Sequence, residues 1–161
     1  MKPQFQSYLL SLGMSPTLIG SIEGINEILA PIAGQEFQDI HVSEYLDSGG
    51  QRVFENIGFF TYTHIWGAAI LPQLKYIDGI KLKDQILGWK ITQENYNFIS
   101  AEQSSQATLD IRYLGNGNIH TEFKASGPNC DHLFQIVKKY IVPNIFDESE
   151  KYAPANINSR E

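Results

Sequence analysis

The chain has 161 residues, of which 42% are hydrophobic and 19% charged, and this length and balance predict one globular domain with its own core. A single cysteine excludes an internal disulfide and a cluster of thiolate zinc ligands. Twelve basic against eighteen acidic residues give a net charge of −6, which argues against a general nucleic-acid-binding surface. Because no run of about 20 apolar residues occurs, no transmembrane segment is predicted.

The N-terminal residues lack the features of a secretory signal. Residues 8–12 form only a short apolar cluster that contains Ser11, whereas a signal needs an unbroken apolar stretch of about 7–15 residues. Lys2 follows the first methionine, so the pattern for N-myristoylation is missing. These observations predict a cytoplasmic protein.

The first third of the chain, residues 1–34, predicts two helices. A one-sided apolar set over residues 3–12 predicts the first helix, and Gly13 supplies a left-handed residue that ends it. Ser15 and Pro16 form a start signal, because a serine hydroxyl caps free N–H groups and proline suits the first helical position.

Helical periodicity is clearest in the second helix. Apolar side chains recur there at spacings of four, three and four, at Leu18, Ile22, Ile25 and Leu29. Gly20 and Gly24 weaken this helix by about 1 kcal/mol each relative to alanine, and they leave room for another backbone to approach closely. Pro31 and Gly34 are predicted to end it. The helix pair is expected to cover one sheet face or to mediate self-association.

Alternating apolar and polar residues predict six or seven β-strands in the middle of the chain. The predicted strand segments are residues 39–43, 52–65, 80–83, 86–91, 96–99, 109–112 and 119–124. Turn-forming residues separate several of them, at residues 47–50, 71–73 and 115–118. Successive hairpin signals favour antiparallel pairing.

The spacing of apolar residues changes from that of a strand to that of a helix near the end of the chain. Apolar residues at spacings of three and four predict an amphipathic helix through Leu133, Ile136, Val137, Tyr140 and Ile141. Asp131 in the first turn and Lys138 and Lys139 near the end match the helix dipole, and Pro143 terminates the helix. Residues 1–146 are therefore predicted to form the domain, with residues 147–161 as a flexible tail.

The predicted fold class is α+β, with N-terminal helices, an antiparallel curved sheet or barrel, and a C-terminal helix. By element order, residues 80–86, the hairpin at residues 109–123 and the final helix resemble the pleckstrin-homology-like superfold, including its bacterial members, over residues 36–146. This resemblance implies a scaffold that binds lipids, peptides or proteins. Its phosphoinositide-binding members carry clustered Lys and Arg in an early hairpin loop, but residues 47–51 have none and only Arg52 stands beside them.

One spacing is typical of an enzyme. Asp110 on one strand of the predicted hairpin, with Glu122 and Lys124 on the other, resembles the Asp…Glu-x-Lys signature of the restriction-endonuclease-like nucleases. Carboxylates on neighbouring strands hold Mg²⁺ in such sites, and the lysine stabilises the attacking water or phosphate. An upstream helix could add Glu23 or Glu27. The alternative interpretation is a solvated sheet face whose polar residues pair across the strands.

Histidine and cysteine positions favour no metal or thiol chemistry. The four histidines, His41, His64, His120 and His132, lack the spacing of a zinc site, and His41 and His120 are predicted on polar strand faces. Cys130 and His132 are two positions apart and do not face each other on a helix. Cys130 is therefore interpreted as a small buried side chain, and residues 59–66, rich in aromatics, as a core strand.

The leading hypothesis is a non-enzymatic binding domain without cofactor, metal or nucleic-acid partner. It binds a protein, peptide or other ligand at a sheet edge or in the groove beside the C-terminal helix. The alternative is the metal-dependent nuclease that uses Asp110, Glu122 and Lys124. A third hypothesis places an apolar ligand inside the β-layer.

Overall fold

A computed structural model describes residues 1–70, 77–95, 105–114 and 120–144. It has two N-terminal helices, seven strands in two antiparallel sheets, and a C-terminal helix. The predicted α+β class, the antiparallel pairing and the element order are confirmed, and the strands in these ranges form no closed barrel. The turns predicted at residues 71–73 and 115–118, the strand at residues 96–99 and the tail at residues 147–161 lie outside the described residues.

The N-terminal helices begin and end largely where the sequence predicts. They are α1 (Pro3–Ser11) and α2 (Pro16–Ala33). Gly13 adopts a left-handed φ of +75°, and the Ser15 hydroxyl accepts the Leu18 N–H. The prediction that Pro31 ends α2 was wrong, because α2 passes through it and ends at Gly34, whose φ is +61°. Pro31 lies in the last turn of α2, where its missing N–H removes a single helical bond.

The seven strands of the described ranges form two sheets. The first sheet contains β1 (Asp39–Leu46), β2 (Arg52–Phe60), β3 (His64–Ala69) and β4 (Ile77–Lys81) in that order, and the second contains β5 (Ile86–Asn95), β6 (Ser105–Tyr113) and β7 (His120–Ser126). A one-turn helix, α3 (Leu82–Gln85), connects the sheets. The predicted strand over residues 52–65 is divided into β2 and β3 by a turn, in which the Thr61 hydroxyl accepts the His64 N–H.

Each face of the first sheet is covered by a different layer. Helices α1 and α2 pack on its outer face, where the core includes Leu9, Ile22, Leu29, Val42, Ile57 and Phe59. The C-terminal helix α4 (Asn129–Ile136), which continues as a wider turn over Val137–Ile141, packs with the inner face and the second sheet. That second core includes Phe60, Ile65, Leu109, Phe123, Leu133 and Tyr140. The helix pair therefore covers one sheet face, as the sequence predicts.

The two sheets approach closely at Gly58 of β2. A Cβ atom at this position would lie 2.8 Å from Cε1 of Phe123, so only glycine leaves space for that ring. A space of about 40 Å³ lies between the sheets beside Ile65, Ile80 and Phe123. One buried water needs about 10–15 Å³, so this space has room for a few waters but not for a sizeable apolar ligand.

No other described segment of the chain packs closely against α2 at Gly20 or Gly24. A Cβ atom added at either position would meet no other atom within 4 Å. Self-association through this helix therefore stays a prediction. No helix in the described ranges is long and apolar enough to cross a membrane.

Candidate functional site

Strands β1 and β7 lie side by side where the two sheets meet, and side chains of β1 bond the backbone of β7. The Lys124 N–H donates to Oγ of Ser43 at 2.8 Å, and Nε2 of His41 lies 3.1 Å from the Lys124 carbonyl oxygen. Further along, the Ser126 N–H donates to Oε1 of Glu44 at 2.6 Å. We call this contact between β1 and the second half of β7 the seam.

Glu44 is a fully buried carboxylate at the seam. Its exposed fraction is 0%, and its oxygens also accept the Ser126 hydroxyl at 2.6 Å and Nδ2 of Asn129 at 3.1 Å. Nε of Arg52 lies 3.4 Å from Oε2 of Glu44, but it is not aligned for a hydrogen bond. The Arg52 contact is therefore an electrostatic one, and the short bonds to β7 and α4 hold the carboxylate in place.

Tyr8 connects three elements beside this carboxylate. Its hydroxyl donates to Oδ1 of Asn129 at 2.8 Å and accepts the Val42 N–H at 3.1 Å, which joins α1, α4 and β1. Burial raises the pKa of Tyr8 far above its usual value, so the hydroxyl stays neutral. Arg52 completes the arrangement by donating to the Leu12 carbonyl at 2.7 Å.

A cleft of about 400 Å³ lies beside the C-terminal helix, between α1 and α4. Tyr8, Arg52, Asn129 and His132 all line it. Each of these four has a polar atom bonded within the protein, and Nε2 of His132 lies 2.7 Å from the Ile40 carbonyl oxygen. Most of the side chains that line the cleft therefore stabilise the fold through hydrogen bonds to other elements.

The four histidines lie in different surroundings. The prediction that His41 lies on a polar strand face was wrong: it is fully buried, because β7 and α4 cover that face of β1. Burial, and next the neighbouring His132, lower the pKa of His41 to about 3. His120 is 46% exposed, as expected for a polar face. No group of three or more His, Cys, Asp or Glu that could hold a metal ion occurs in the described ranges.

Cys130 is a buried thiol at the start of α4. Its Sγ lies 3.5 Å from the Ala125 carbonyl oxygen, and the side chain is 3% exposed. Burial raises the pKa of Cys130 to about 11, which favours the unreactive thiol over the thiolate at neutral pH. The geometry agrees with the interpretation of Cys130 as a small buried side chain.

Asp110, Glu122 and Lys124 share the outer face of the second sheet. Asp110 and Glu122 are direct cross-strand partners in the β6–β7 pair, and Lys124 lies two residues further along β7. Oδ1 of Asp110, however, is 2.9 Å from Nδ1 of His120, and Nζ of Lys124 is 3.2 Å from Oε2 of Glu55. The predicted common face is therefore present, but Asp110 and Lys124 are engaged with other partners.

The two helix carboxylates proposed as additional ligands lie elsewhere. Oε1 of Glu23 accepts a hydrogen bond from Gln6 at 2.6 Å, and Glu27 is exposed on the same helix, α2. Because α2 packs on the outer face of the first sheet, neither side chain reaches the outer face of the second sheet that carries Asp110 and Glu122.

A cleft opens where the first half of β7 leaves the seam. It measures about 730 Å³ and lies between β2 and β7, and we call it the seam cleft. Its walls include Phe54, Glu55 and Asn56 of β2, and Thr121, Glu122 and Lys124 of β7. Nζ of Lys124 also lies 5.2 Å from the centre of the Tyr45 ring, so an ammonium group is held there between an aromatic ring and a carboxylate.

The backbone of β7 turns an unpaired edge toward this cleft. Both the N–H and the carbonyl of Lys124 point to β1, and alternate residues of an antiparallel strand point the same way. The N–H and carbonyl of Glu122 therefore face the seam cleft, and no described residue bonds them there. The open edge at Glu122 is the part of the site that spacing alone could not reveal.

Comparisons with known proteins add no family to this description. No family model, no curated protein and no solved structure matches the chain. The candidate site consequently rests on the geometry of the seam cleft and on the open edge of β7.

Proposed function

We propose that this chain is a non-catalytic, cytoplasmic binding domain of the pleckstrin-homology-like type. It binds an extended segment of a partner protein along the open edge of β7. The element order supports this likeness: four antiparallel strands form one sheet, three more form a second sheet, and the C-terminal helix follows them. The helices α1 and α2 precede this core as an addition.

The open edge at Glu122 carries the proposal. An unpaired edge is a template for another strand, and adding a strand supplies main-chain hydrogen bonds while pockets beside it select side chains. The seam cleft of about 730 Å³ gives this edge a concave surrounding within the size range of roughly 300–1,000 Å³ that is typical of ligand sites. On the C-terminal side of Glu122, the same edge is already bonded at Lys124 by Ser43 and His41 and at Ser126 by Glu44, so the free edge ends there.

The charged groups near the cleft support binding rather than catalysis. Lys124 pairs with Glu55, and His120 pairs with Asp110. A general acid or base must have its reacting atom available to a substrate. In the seam cleft the side chain of Glu122 is exposed and without an ion pair in the described chain, and it can pair with a partner.

A proline at position 122 tests the proposal. Peptides selected from a random library of extended dodecamers on the wild-type protein are the probes. Glu122→Pro removes the N–H that faces the cleft, while the β6–β7 ladder keeps its bonds because that N–H does not point to β6. We expect Glu122→Pro to weaken peptide binding at least tenfold, and calorimetry or fluorescence anisotropy measures the change.

Glu122→Thr is the matched control, since it removes the same carboxylate and keeps the N–H. We expect it to lose at most about fivefold in affinity, less than Glu122→Pro, and thermal unfolding verifies that both variants fold. Peptides that bind Glu122→Pro and Glu122→Thr equally well would show that the edge is not used, and so would a library from which no binder emerges.

A metal-dependent nuclease is the second candidate. The direct pairing of Asp110 with Glu122, with Lys124 on the same face, favours it. Calorimetric titration with Mg²⁺ and Mn²⁺ separates the candidates. Because Asp110 and Lys124 are already paired, we expect no Glu122-dependent heat at millimolar metal. Tight binding that Glu122→Ala abolishes would instead support the nuclease.

A further inference from the structure

We infer that the partner segment carries a basic residue, lysine or arginine, directly opposite Glu122. This inference rests on the proposed function and names the chemistry of the segment that the open edge selects.

Glu122 is the available charge at the open edge. Its side chain is exposed, and the basic side chains next to it on β7, His120 and Lys124, have other carboxylate partners. Nζ of Lys124 is held at 3.2 Å by Glu55, and His120 is held at 2.9 Å by Asp110. Glu122 also stands directly opposite Asp110 across the β6–β7 pair, and two like charges in that position repel each other.

An added strand would place one of its side chains beside this carboxylate. On neighbouring strands, side chains directly opposite each other lie on the same sheet face, with Cβ atoms about 4.5–5.5 Å apart. The residue opposite Glu122 would therefore share the outer face of the second sheet with Glu122 and Asp110. A cation there meets one carboxylate directly and reduces the repulsion between the two.

The seam cleft already contains the same kind of contact. The ammonium group of Lys124 lies 3.2 Å from the Glu55 carboxylate and 5.2 Å from the Tyr45 ring centre. At the open edge itself, Lys124 is already paired with Glu55, while Glu122 has no ion pair in the described chain. Lys90, the basic residue opposite Asp110, lies on β5, two strands away from β7, so the immediate surroundings of the open edge favour a basic segment over an acidic one.

A charge exchange tests the inference. The probes are three versions of one library-selected peptide, with arginine, glutamine or glutamate at the position opposite Glu122. We expect the wild type to bind the arginine peptide about three- to fivefold more tightly than the glutamine peptide, and the glutamate peptide least well. Glu122→Lys should reverse this order, while Glu122→Gln, the milder variant, should remove the preference.

Glu27→Lys is the matched control, because it makes the same charge change at an exposed position of α2 and should leave the order unchanged. The wild-type preference should also shrink as salt is raised. Loss of binding in Glu122→Pro together with an unaltered preference in Glu122→Lys would overturn this inference and leave the proposed function standing. Peptide binding that neither variant changes would contradict the proposed function itself.

Discussion

Replacing Glu44 with alanine is expected to lower the free energy of unfolding by about 3–5 kcal/mol. The carboxylate is fully buried and accepts bonds from the Ser126 N–H, the Ser126 hydroxyl and Asn129, and it lies beside Arg52. Its removal leaves the Ser126 N–H and hydroxyl buried without an acceptor, whereas Asn129 keeps its bond to the Val42 carbonyl oxygen. Each donor left unpaired costs about 1–3 kcal/mol when no water replaces the lost group. Urea denaturation followed by circular dichroism measures the loss.

Glu36→Ala is the control for this variant. Glu36 also pairs with a basic residue, with 3.1 Å between its Oε1 and Nζ of Lys2, but its side chain is 73% exposed. Exposed ion pairs contribute only up to about 1 kcal/mol, so a small change is expected. A loss below about 1 kcal/mol for Glu44→Ala would mean that water replaces the carboxylate, and the seam would then be much weaker than its bonds indicate.

Local signals in the sequence predict the elements well because their causes are local. Ser15 caps α2 through its own side chain, and Gly13 and Gly34 adopt the positive φ values that favour glycine. Strand alternation likewise finds β1, β6 and β7 without knowledge of their partners. Pro31 is the exception: a proline near a helix end is compatible both with termination and with a last turn that lacks one bond.

The seam could not be predicted because it joins residues far apart in the chain. Glu44 meets Ser126 across 82 positions, and His41 meets Lys124 across 83. In the sequence, His41 alternates with the apolar residues Ile40 and Val42, and Glu44 follows the polar Ser43. Both therefore resemble side chains on a solvated strand face. They are buried because β7 and α4 cover β1, and that coverage depends on the packing of two sheets.

The candidate site, too, could be predicted from the sequence only in part. Spacing correctly places Asp110, Glu122 and Lys124 on one face, since alternate strand residues share a face. The spacing does not reveal that Lys124 forms an ion pair with Glu55, because Glu55 belongs to the other sheet. The contact between β1 and β7 therefore divides β7 into two parts: β1 bonds Lys124 and Ser126 but leaves Glu122 unbonded.

The stability of the protein is expected to fall with acidification through His41. Burial lowers its pKa to about 3 in the folded state from the usual 6.5, so below pH 6.5 the unfolded chain binds a proton that the folded chain does not. The free energy of unfolding therefore decreases as pH falls from 6.5 toward 3, by about 1.4 kcal/mol per pH unit, and this histidine adds no slope above that window. Urea denaturation at several pH values between 7 and 4 measures the slope.

His41→Gln isolates this contribution, because a glutamine amide can also donate to the Lys124 carbonyl but does not titrate. The difference in unfolding free energy between wild type and variant should change by about 3 kcal/mol between pH 6.5 and pH 4, in favour of the variant as the pH falls. Parallel curves across this range would show that His41 accepts its proton within the folded protein.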